Sequence, residues 1–227
     1  MGEIVKLTAA DGHEFDAYRA QPDGEAEGGP RGGIVVIQEI FGVNGHIRDV
    51  TDGYAAEGYL AVAPAIFDRF ERGVDLDYTP DDIPIGRGYK AQGNENLDSV
   101  MADVRAASEA VRAAGKVGIT GYCWGGFVVW AAACRLQFDA AVGYYGGGIL
   151  DLNDETPKCP TILHFGKDDQ TISMDDVDAI SAAHPDVPVY IYDAGHGFNC
   201  DRRGSYHEES SRIALKRTLE FFAENVG

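Results

Sequence analysis

The chain has 227 residues and a formal net charge of −18, from 19 Lys and Arg residues against 37 Asp and Glu residues. This length suits one large α/β domain spanning 1–227, and the acidity disfavours binding to nucleic acid or to anionic membrane surfaces. The N-terminus shows neither a secretory signal nor a membrane span, and the four scattered cysteines indicate free thiols, so we expect a cytoplasmic protein.

The first twenty residues predict an antiparallel hairpin at the edge of a sheet. Its two strands are Glu3–Leu7 and Glu14–Arg19, and Asp11 and Gly12 supply the turn between them. A polar, turn-rich stretch follows at 22–33 and is too near the N-terminus to separate two cores. We interpret it as an exposed connection.

Short apolar runs bounded by turn residues then recur along the chain and predict buried parallel strands. Helical patterns lie between them, most clearly at 96–114, where apolar residues recur on one face and Gly115 is placed to end the helix. The segment 205–225 also has helical spacing and should pack on the sheet. This alternation predicts an α/β fold with a mostly parallel sheet and helices on both faces. The strand runs are Gly33–Gln38, Tyr59–Ala63, Val117–Thr120, Ala140–Tyr145, Thr161–Phe165 and Val187–Tyr192.

One segment, 68–93, breaks the alternation because it shows no clear apolar period. Long irregular connections in compact domains are often lids or binding loops. Asp75, Asp77, Asp81 and Asp82 in this segment fit a merely solvated loop equally well. We therefore predict an irregular connection that either binds substrate or is simply solvated. Among its residues are the cationic or aromatic side chains of Arg69, Arg72, Tyr78, Arg87, Tyr89 and Lys90.

A G-x-C-x-G motif at 121–125 follows directly on the strand run that ends at Thr120. A strand, a tight turn and a helix are the elements with which an α/β-hydrolase exposes its nucleophile, and glycines two positions on either side avoid a collision in the turn. Here the nucleophile would be the sulfur of Cys123. Because glycines around a buried cysteine also arise from packing, the motif needs support from the rest of the chain.

That support comes from an acid and a histidine, which follow the nucleophile in the chain order expected for this fold. Asp168 and Asp169 come after the strand run that ends at Phe165, and His196 lies in a glycine-flanked loop after the last run. A histidine can accept the proton of the thiol, and an aspartate can orient and stabilise the imidazolium. From the residues alone, either aspartate fits.

The remaining histidines and cysteines fit structural or surface roles better than catalytic ones. Cys134, Cys159 and Cys200 are interpreted as small apolar residues or incidental thiols. A metal site made of His196, Cys200 and His207 is conceivable, but its spacing matches no strong zinc signature. The sequence therefore predicts no metal site.

Acyl transfer also needs hydrogen-bond donors for the oxyanion of the tetrahedral intermediate. This fold takes them from the residue after the nucleophile and from a loop after an earlier strand, which here are Trp124 and Ile40. The neighbouring Glu39 would bring a carboxylate to the same edge of the sheet. It either pairs with an arginine or competes with His196 for influence over the thiol.

Four ordered motifs together resemble the dienelactone hydrolase family, whose members are also called carboxymethylenebutenolidases. They are Gln-Glu-Ile-Phe-Gly-Val-Asn at 38–44, Gly-Tyr-Cys-Trp-Gly-Gly at 121–126, Gly-Tyr-Tyr-Gly at 143–146 and Gly-His-Gly-Phe at 195–198. The resemblance spans almost the whole chain. It implies the α/β-hydrolase fold and hydrolysis of a lactone ester bond in the breakdown of aromatic compounds, without a cofactor. The partner would be a small lactone or ester that bears a carboxylate.

Carried over position by position, the resemblance makes Cys123 the nucleophile, His196 the base and Asp169 the orienting acid. Asp169 is preferred to Asp168 because the family acid stands three positions after a glycine. In the family, a glutamate that matches Glu39 contacts the resting thiol and takes part in its activation when substrate binds.

Family members also bind the substrate carboxylate with two arginines, whose planar guanidinium groups suit bidentate contact. One lies in the irregular segment in the middle of the chain and one lies shortly after the catalytic histidine. Tyr145 either lines the pocket or belongs to the core. The candidates for substrate contact are Arg87, Arg202 and Tyr145, with Arg69, Arg72 and Arg203 as alternatives.

Two other functions fit the same pattern. A broader carboxylesterase or thioesterase would share the triad without the lactone substrate. A non-catalytic binding protein or thiol sensor would use Cys123 on the same scaffold, although an acid and a histidine in the expected order argue against it.

Overall fold

The computed structural model describes residues 2–22 and 29–227, so the predicted connection at 22–33 falls partly outside the described residues, at 23–28. Strand β1 (Glu3–Thr8) pairs antiparallel with β2 (Glu14–Ala20), and Glu3 lies opposite Arg19. The N-terminal hairpin is therefore confirmed. It forms one edge of the sheet, since β2 continues into the rest of the sheet through its other side.

Within residues 29–227, six further strands continue this sheet, and each coincides with a predicted strand run. The order across the sheet is β1-β2-β4-β3-β5-β6-β7-β8. Strand β2 pairs antiparallel with β4, whereas the pairs from β4 across to β8 are parallel. The mostly parallel sheet is thus confirmed. Its bounds are β3 (Gly33–Ile37), β4 (Leu60–Pro64), β5 (Val117–Tyr122), β6 (Ala140–Tyr144), β7 (Thr161–Gly166) and β8 (Val189–Tyr192).

Helices cover both faces of the sheet, as alternate residues of the central strand β3 show. Ile34 belongs to the same core cluster as Tyr54 and Phe222, from the helices that cover one face. Val35 belongs to the cluster of Val104 and Val128, from the helices on the other face. A strand buried on both sides must be apolar throughout, which is why β3 reads as a continuous apolar run. The helices are α1 (Gly45–Ala56), α2 (Asp82–Glu95), α3 (Leu97–Val111), α4 (Trp124–Arg135), α5 (Met174–Ala183) and α6 (Glu208–Asn225).

The two helical segments predicted from spacing are confirmed with small changes at their ends. The segment 96–114 is α3 followed by a 3-10 turn at Arg112–Ala114, and Gly115 follows with a φ of 119°. The segment 205–225 becomes helical only at Glu208, where α6 begins. No helix in the described part of the chain is long and apolar enough to span a bilayer.

The prediction of an irregular connection at 68–93 is wrong for its second half, which forms α2. Within α2, Gly86 and Gly93 are the buried residues, so the helix has no apolar stripe for a sequence pattern to reveal. A side chain at Gly86 would place its Cβ 2.3 Å from the carbonyl oxygen of Ile40. The glycine therefore lets α2 lie against the loop that follows β3.

Candidate active site

Cys123 occupies the turn between β5 and α4 in a backbone conformation that L-residues rarely adopt. Its φ is 56° and its ψ is −116°. A Cβ at Gly121 would lie 2.4 Å from the carbonyl oxygen of Gly125, and a Cβ at Gly125 would lie 2.5 Å from that of Ile37. The two glycines are thus required by close packing, and the strained turn presents the sulfur at the carboxyl end of the sheet.

The structure brings the predicted nucleophile, base and acid into one line of contacts. His196 Nε2 lies 3.1 Å from Cys123 Sγ, and His196 Nδ1 lies 2.7 Å from Asp169 Oδ2. Both ring nitrogens of the histidine are therefore engaged. Asp168, the alternative acid, is exposed to solvent, whereas Asp169 is buried.

The second oxygen of Asp169 is held by residues that sequence reasoning missed. Asp169 Oδ1 accepts hydrogen bonds from the Thr171 amide at 2.8 Å, the Thr171 hydroxyl at 2.7 Å and the Ile172 amide at 3.1 Å. An aspartate that bonds the backbone two residues on is a common turn, so the Asp-x-Thr spacing was an available signal. Thr171 thereby fixes the carboxylate that orients the imidazole.

Charges at the site favour an imidazolium. Burial disfavours the charged ring, but the Cys123 thiolate and the Asp169 carboxylate outweigh it and raise the pKa of His196 to about 10. Burial also works against the charge of Asp169, yet the hydrogen bonds from His196 and Thr171 outweigh it and hold the pKa of that carboxyl below its usual range. The arrangement can therefore stabilise a thiolate beside an imidazolium.

Glu39 is fully buried next to the site and faces an arginine. Its Oε1 accepts a hydrogen bond from Arg203 Nη1 at 3.1 Å, and its Oε2 accepts one from the Tyr78 hydroxyl at 2.8 Å. Burial and the charge of Glu39 raise the pKa of Tyr78, so the phenol keeps the proton that it donates. The sequence left open whether Glu39 pairs with an arginine or influences the thiol, and the structure shows it paired with Arg203.

A cavity of about 410 Å³ opens onto Cys123 and His196. One wall is a face of α2, on which four lining residues recur at the spacing of a helix. This spacing could have revealed α2 from the sequence. It was missed because most of these residues are polar, and the search for helices relied on the spacing of apolar residues. The α2 residues are Ile83, Arg87, Lys90 and Asn94.

The structure corrects the choice between the two adjacent arginines. Arg202 pairs with Asp49 and does not line the cavity, so the expectation that it contacts substrate is replaced by one for Arg203. Arg203 lines the cavity, and its guanidinium carbon lies 6.0 Å from the ring centre of Phe41 and 5.7 Å from that of Tyr78. These aromatic contacts hold the planar group in place.

Three other candidates for substrate contact lie outside the cavity. Arg69 forms a bidentate pair with the buried Asp103, and Arg72 donates to a main-chain carbonyl of β2. Tyr145 is fully buried, with its ring centre 5.2 Å from that of His196. It packs against the imidazole of His196, so its side chain belongs to the core.

The two predicted oxyanion donors have amide groups available. Trp124 opens α4, so its N–H belongs to the helix turn that has no intrahelical acceptor, and Ile40 lines the cavity. Neither amide donates to a backbone acceptor within residues 2–22 and 29–227. The indole of Trp124 donates to Asn94 at 2.8 Å, which ties α2 to the turn that carries the sulfur.

Comparison with known proteins gives consistent matches over nearly the full length. The model of the dienelactone hydrolase family matches residues 15–226, a range that contains every residue of the site described above. A Salmonella typhimurium protein named "Putative carboxymethylenebutenolidase" is 37% identical over 237 aligned positions, which cover 95% of this chain and 85% of that protein. A Pseudomonas putida carboxymethylenebutenolidase is 32% identical, with 97% of this chain and 96% of that protein covered. The crystal structure of a "Putative Dienelactone Hydrolase" from Klebsiella pneumoniae superposes with a TM-score of 0.77 at 32% identity, covering 98% of this chain and 99% of that one.

Proposed function

The chain belongs to the dienelactone hydrolase family, and we propose that it hydrolyses a small, carboxylate-bearing lactone or ester through a thioester on Cys123. The observation that carries this proposal is the unbroken line of contacts from Cys123 Sγ through His196 to Asp169, at the mouth of a cavity. A sulfur nucleophile, a base and an orienting acid are the groups that acyl transfer requires.

The first half of the reaction forms the thioester. The Cys123 thiolate attacks the carbonyl carbon, and the amides of Ile40 and Trp124 donate hydrogen bonds to the resulting oxyanion. When the intermediate collapses, the carbon–oxygen bond of the ester breaks, and the imidazolium of His196 gives its proton to the leaving oxygen. With a lactone, this step opens the ring, so the leaving oxygen stays in the acyl group.

The second half releases the acid. Neutral His196 takes a proton from a water molecule as that water attacks the thioester carbonyl, and the carbon–sulfur bond then breaks. The thiolate and the imidazolium are restored together. Asp169 keeps the ring in the orientation that both halves need, because its own carboxylate is fixed by Thr171.

Charged residues of the cavity support an anionic substrate. Arg87, Lys90 and Arg203 line it, and Asp151 is the acidic residue among the lining side chains. A guanidinium binds a carboxylate in a planar, two-pronged geometry, so we assign the main contact to Arg203 and a second contact to Arg87.

We further propose that the substrate carboxylate competes with Glu39 for Arg203. A buried carboxylate that loses its cation becomes a stronger proton acceptor, because the charge is then no longer compensated. In the fraction of molecules in which Cys123 still carries its proton, Glu39 would then take that proton and return it when the product leaves, so substrate increases the share of the reactive thiolate. This role rests on the buried Glu39–Arg203 pair beside the turn that carries the sulfur.

The proposal is tested by comparing kcat/KM for a dienelactone, for aryl esters with and without a carboxylate, and for a thioester. We expect the carboxylate-bearing lactone to be the best substrate and Cys123→Ala to lower its turnover by about a thousand-fold or more. Cys159→Ala is the matched control, since that thiol lies away from the cavity, and it should retain activity. Equal turnover of the neutral esters and thioesters would instead indicate the broader esterase or thioesterase, and activity in Cys123→Ala would reject the mechanism.

A further inference from the structure

Three metal-ligating side chains lie together beside the catalytic cavity, and none of them is a member of the triad. Glu39, His46 and Cys200 are buried, and one ligand atom of each lies within 4.8 Å of the others. This cluster differs from the one considered from the sequence, because His207 accepts a hydrogen bond from the Ser210 amide at the start of α6. His196 is not available either, because its two ring nitrogens contact Cys123 and Asp169.

A buried ring nitrogen of His46 without a hydrogen-bond partner among the described residues indicates that the cluster binds a ligand. The side chain of His46 is 4% exposed, and its Nε2 has no hydrogen-bond partner in the described part of the chain. A buried polar atom without a partner is destabilising, so a ligand on this nitrogen would remove that penalty. The other ring nitrogen, Nδ1, lies 3.4 Å from Asp201 Oδ1. A carboxylate on one nitrogen of a histidine typically leaves the second nitrogen's lone pair for a metal.

We propose that Glu39, His46 Nε2 and Cys200 Sγ bind a divalent cation of the zinc class. Mixed oxygen, nitrogen and sulfur donors suit Zn²⁺, which binds them at about 2.0–2.3 Å, so that ligand atoms lie about 3.4–3.8 Å apart. Because the ligand atoms lie within 4.8 Å of one another, they need to approach by at most about 1.4 Å. On binding, the metal–sulfur bond replaces the sulfur–hydrogen bond of Cys200, and the proton leaves to solvent.

The imidazole of His46 is held in place by aromatic rings, and a second cavity lies beside it. Its ring lies edge-on to Tyr122 at 6.3 Å and to Tyr78 at 6.4 Å between centres. His46, Asp201 and Tyr122 also line a second cavity, of about 400 Å³, next to α1 and α6. This cavity gives a metal ion a route to the cluster that does not pass through the catalytic cavity.

Charges around the cluster favour a cation on balance. Glu39 and Asp201 are negative, and Cys200 adds a third negative charge once its proton has left. Arg203 opposes the metal through its 3.1 Å contact with Glu39. Glu39 accepts hydrogen bonds from Tyr78 and Arg203, and a carboxylate has about four lone-pair positions, so it can still offer one to a metal.

Titration of the whole chain with Co²⁺, a coloured substitute for Zn²⁺, tests the proposal by absorption spectroscopy. We expect one Co²⁺ per chain with a thiolate-to-cobalt charge-transfer band, which Zn²⁺ then displaces. Cys200→Ser should lose the band, and Asp201→Asn should weaken binding by about 10- to 100-fold because it frees the ring of His46. Cys123→Ala and Cys159→Ser are matched thiol controls and should keep the band.

Three outcomes would overturn the proposal: no band in the wild-type chain, a band that survives Cys200→Ser, or loss of the band in Cys123→Ala. The last would place the metal on the catalytic thiol. Asp201 has a side chain that is 66% exposed, so Asp201→Asn still decides the matter if Cys200→Ser fails to fold. Metal binding is read without turnover, so its failure leaves the proposed hydrolysis untouched.

Discussion

At the scale of single residues, the properties of Cys123 and His196 depend on each other. The sulfur lies 3.1 Å from the ring, and the charge of the thiolate is the largest influence that favours the imidazolium. Asp169 adds to it from the other side of the ring. A change at the sulfur should therefore be visible as a change in the titration of the histidine.

We predict that the pKa of His196 in the wild-type chain lies far above the usual range, at about 10, and that it falls in Cys123→Ala. The sign follows from the charges, since the variant loses the thiolate but keeps the burial that favours a neutral ring. The imidazolium of the wild type should persist at pH 8 and lose its proton as the pH rises through about 10. Nuclear magnetic resonance of the imidazole nitrogens measures both values, and equal pKa values would contradict the coupling.

The two adjacent arginines give a second residue-scale prediction. Arg203→Met should lower kcat/KM for a carboxylate-bearing ester by about 10- to 100-fold, because hydrogen bonds to charged groups contribute about 1.5–3 kcal/mol. Arg202→Met should have little effect, because Arg202 pairs with Asp49 away from the cavity. The ratio between carboxylate-bearing and neutral esters is the informative measurement, since Arg203→Met also leaves Glu39 without its cation. A larger loss of kcat/KM in Arg202→Met than in Arg203→Met would refute the assignment of the substrate contact to Arg203.

At the scale of elements, α2 is the part of the site that the sequence did not reveal. The strands and the buried helix α3 have apolar patterns dictated by burial, so their predicted positions agree with the structure. The turn around Cys123 was recognisable because two glycines are required there by close contacts. Helix α2 turns a mostly polar face to the cavity and places glycines against its neighbours, so no apolar period marks it.

The choice between Arg202 and Arg203 shows a different limit of sequence reasoning. Adjacent residues of a loop point in different directions, and their chemistry is identical. Arg202 pairs with Asp49 of α1, away from the cavity, whereas Arg203 pairs with the buried Glu39 and lines the cavity. These partners are distant in sequence, so only the folded chain distinguishes the two arginines.

Two glycines of α2 provide a matched pair for testing how this helix supports the site. Gly86→Ala should lower kcat/KM by about 100-fold for neutral and anionic esters alike, because its Cβ would lie 2.3 Å from the Ile40 carbonyl and displace the oxyanion loop or the helix. Gly88→Ala meets nothing within 4 Å and should stabilise the chain by about 0.4–1 kcal/mol without loss of activity. Urea unfolding and steady-state kinetics distinguish the two, and full activity in Gly86→Ala would disprove this role of α2.

At the scale of the whole molecule, the net charge of −18 should lower the stability of the fold without changing its architecture. Like charges repel in the compact state, and salt shortens the reach of that repulsion from about 30 Å at 0.01 M to about 8 Å at 0.15 M. We predict that Tm rises over this range of NaCl. KCl should act equally, because the effect is screening, and a Tm that falls with either salt in thermal unfolding followed by circular dichroism would contradict the prediction.

The charge of the whole molecule also contrasts with that of the cavity at Cys123 and His196. An acidic chain places Arg87, Lys90 and Arg203 along the cavity, where a carboxylate-bearing substrate would meet cations after passing an anionic surface. The cavity and His196 both lie beside the turn at Cys123. Hydrolysis by the proposed mechanism therefore requires that this sulfur carries the acyl group.

Intact-protein mass spectrometry after rapid mixing with a slowly hydrolysed aryl ester measures this directly. We predict a mass increase of one acyl group that decays during turnover and that peptide mapping locates on Cys123, with none in Cys123→Ala and the normal increase in Cys159→Ala. An acyl group on another residue, or turnover without an adduct in rapid-quench samples together with activity in Cys123→Ala, would contradict the account.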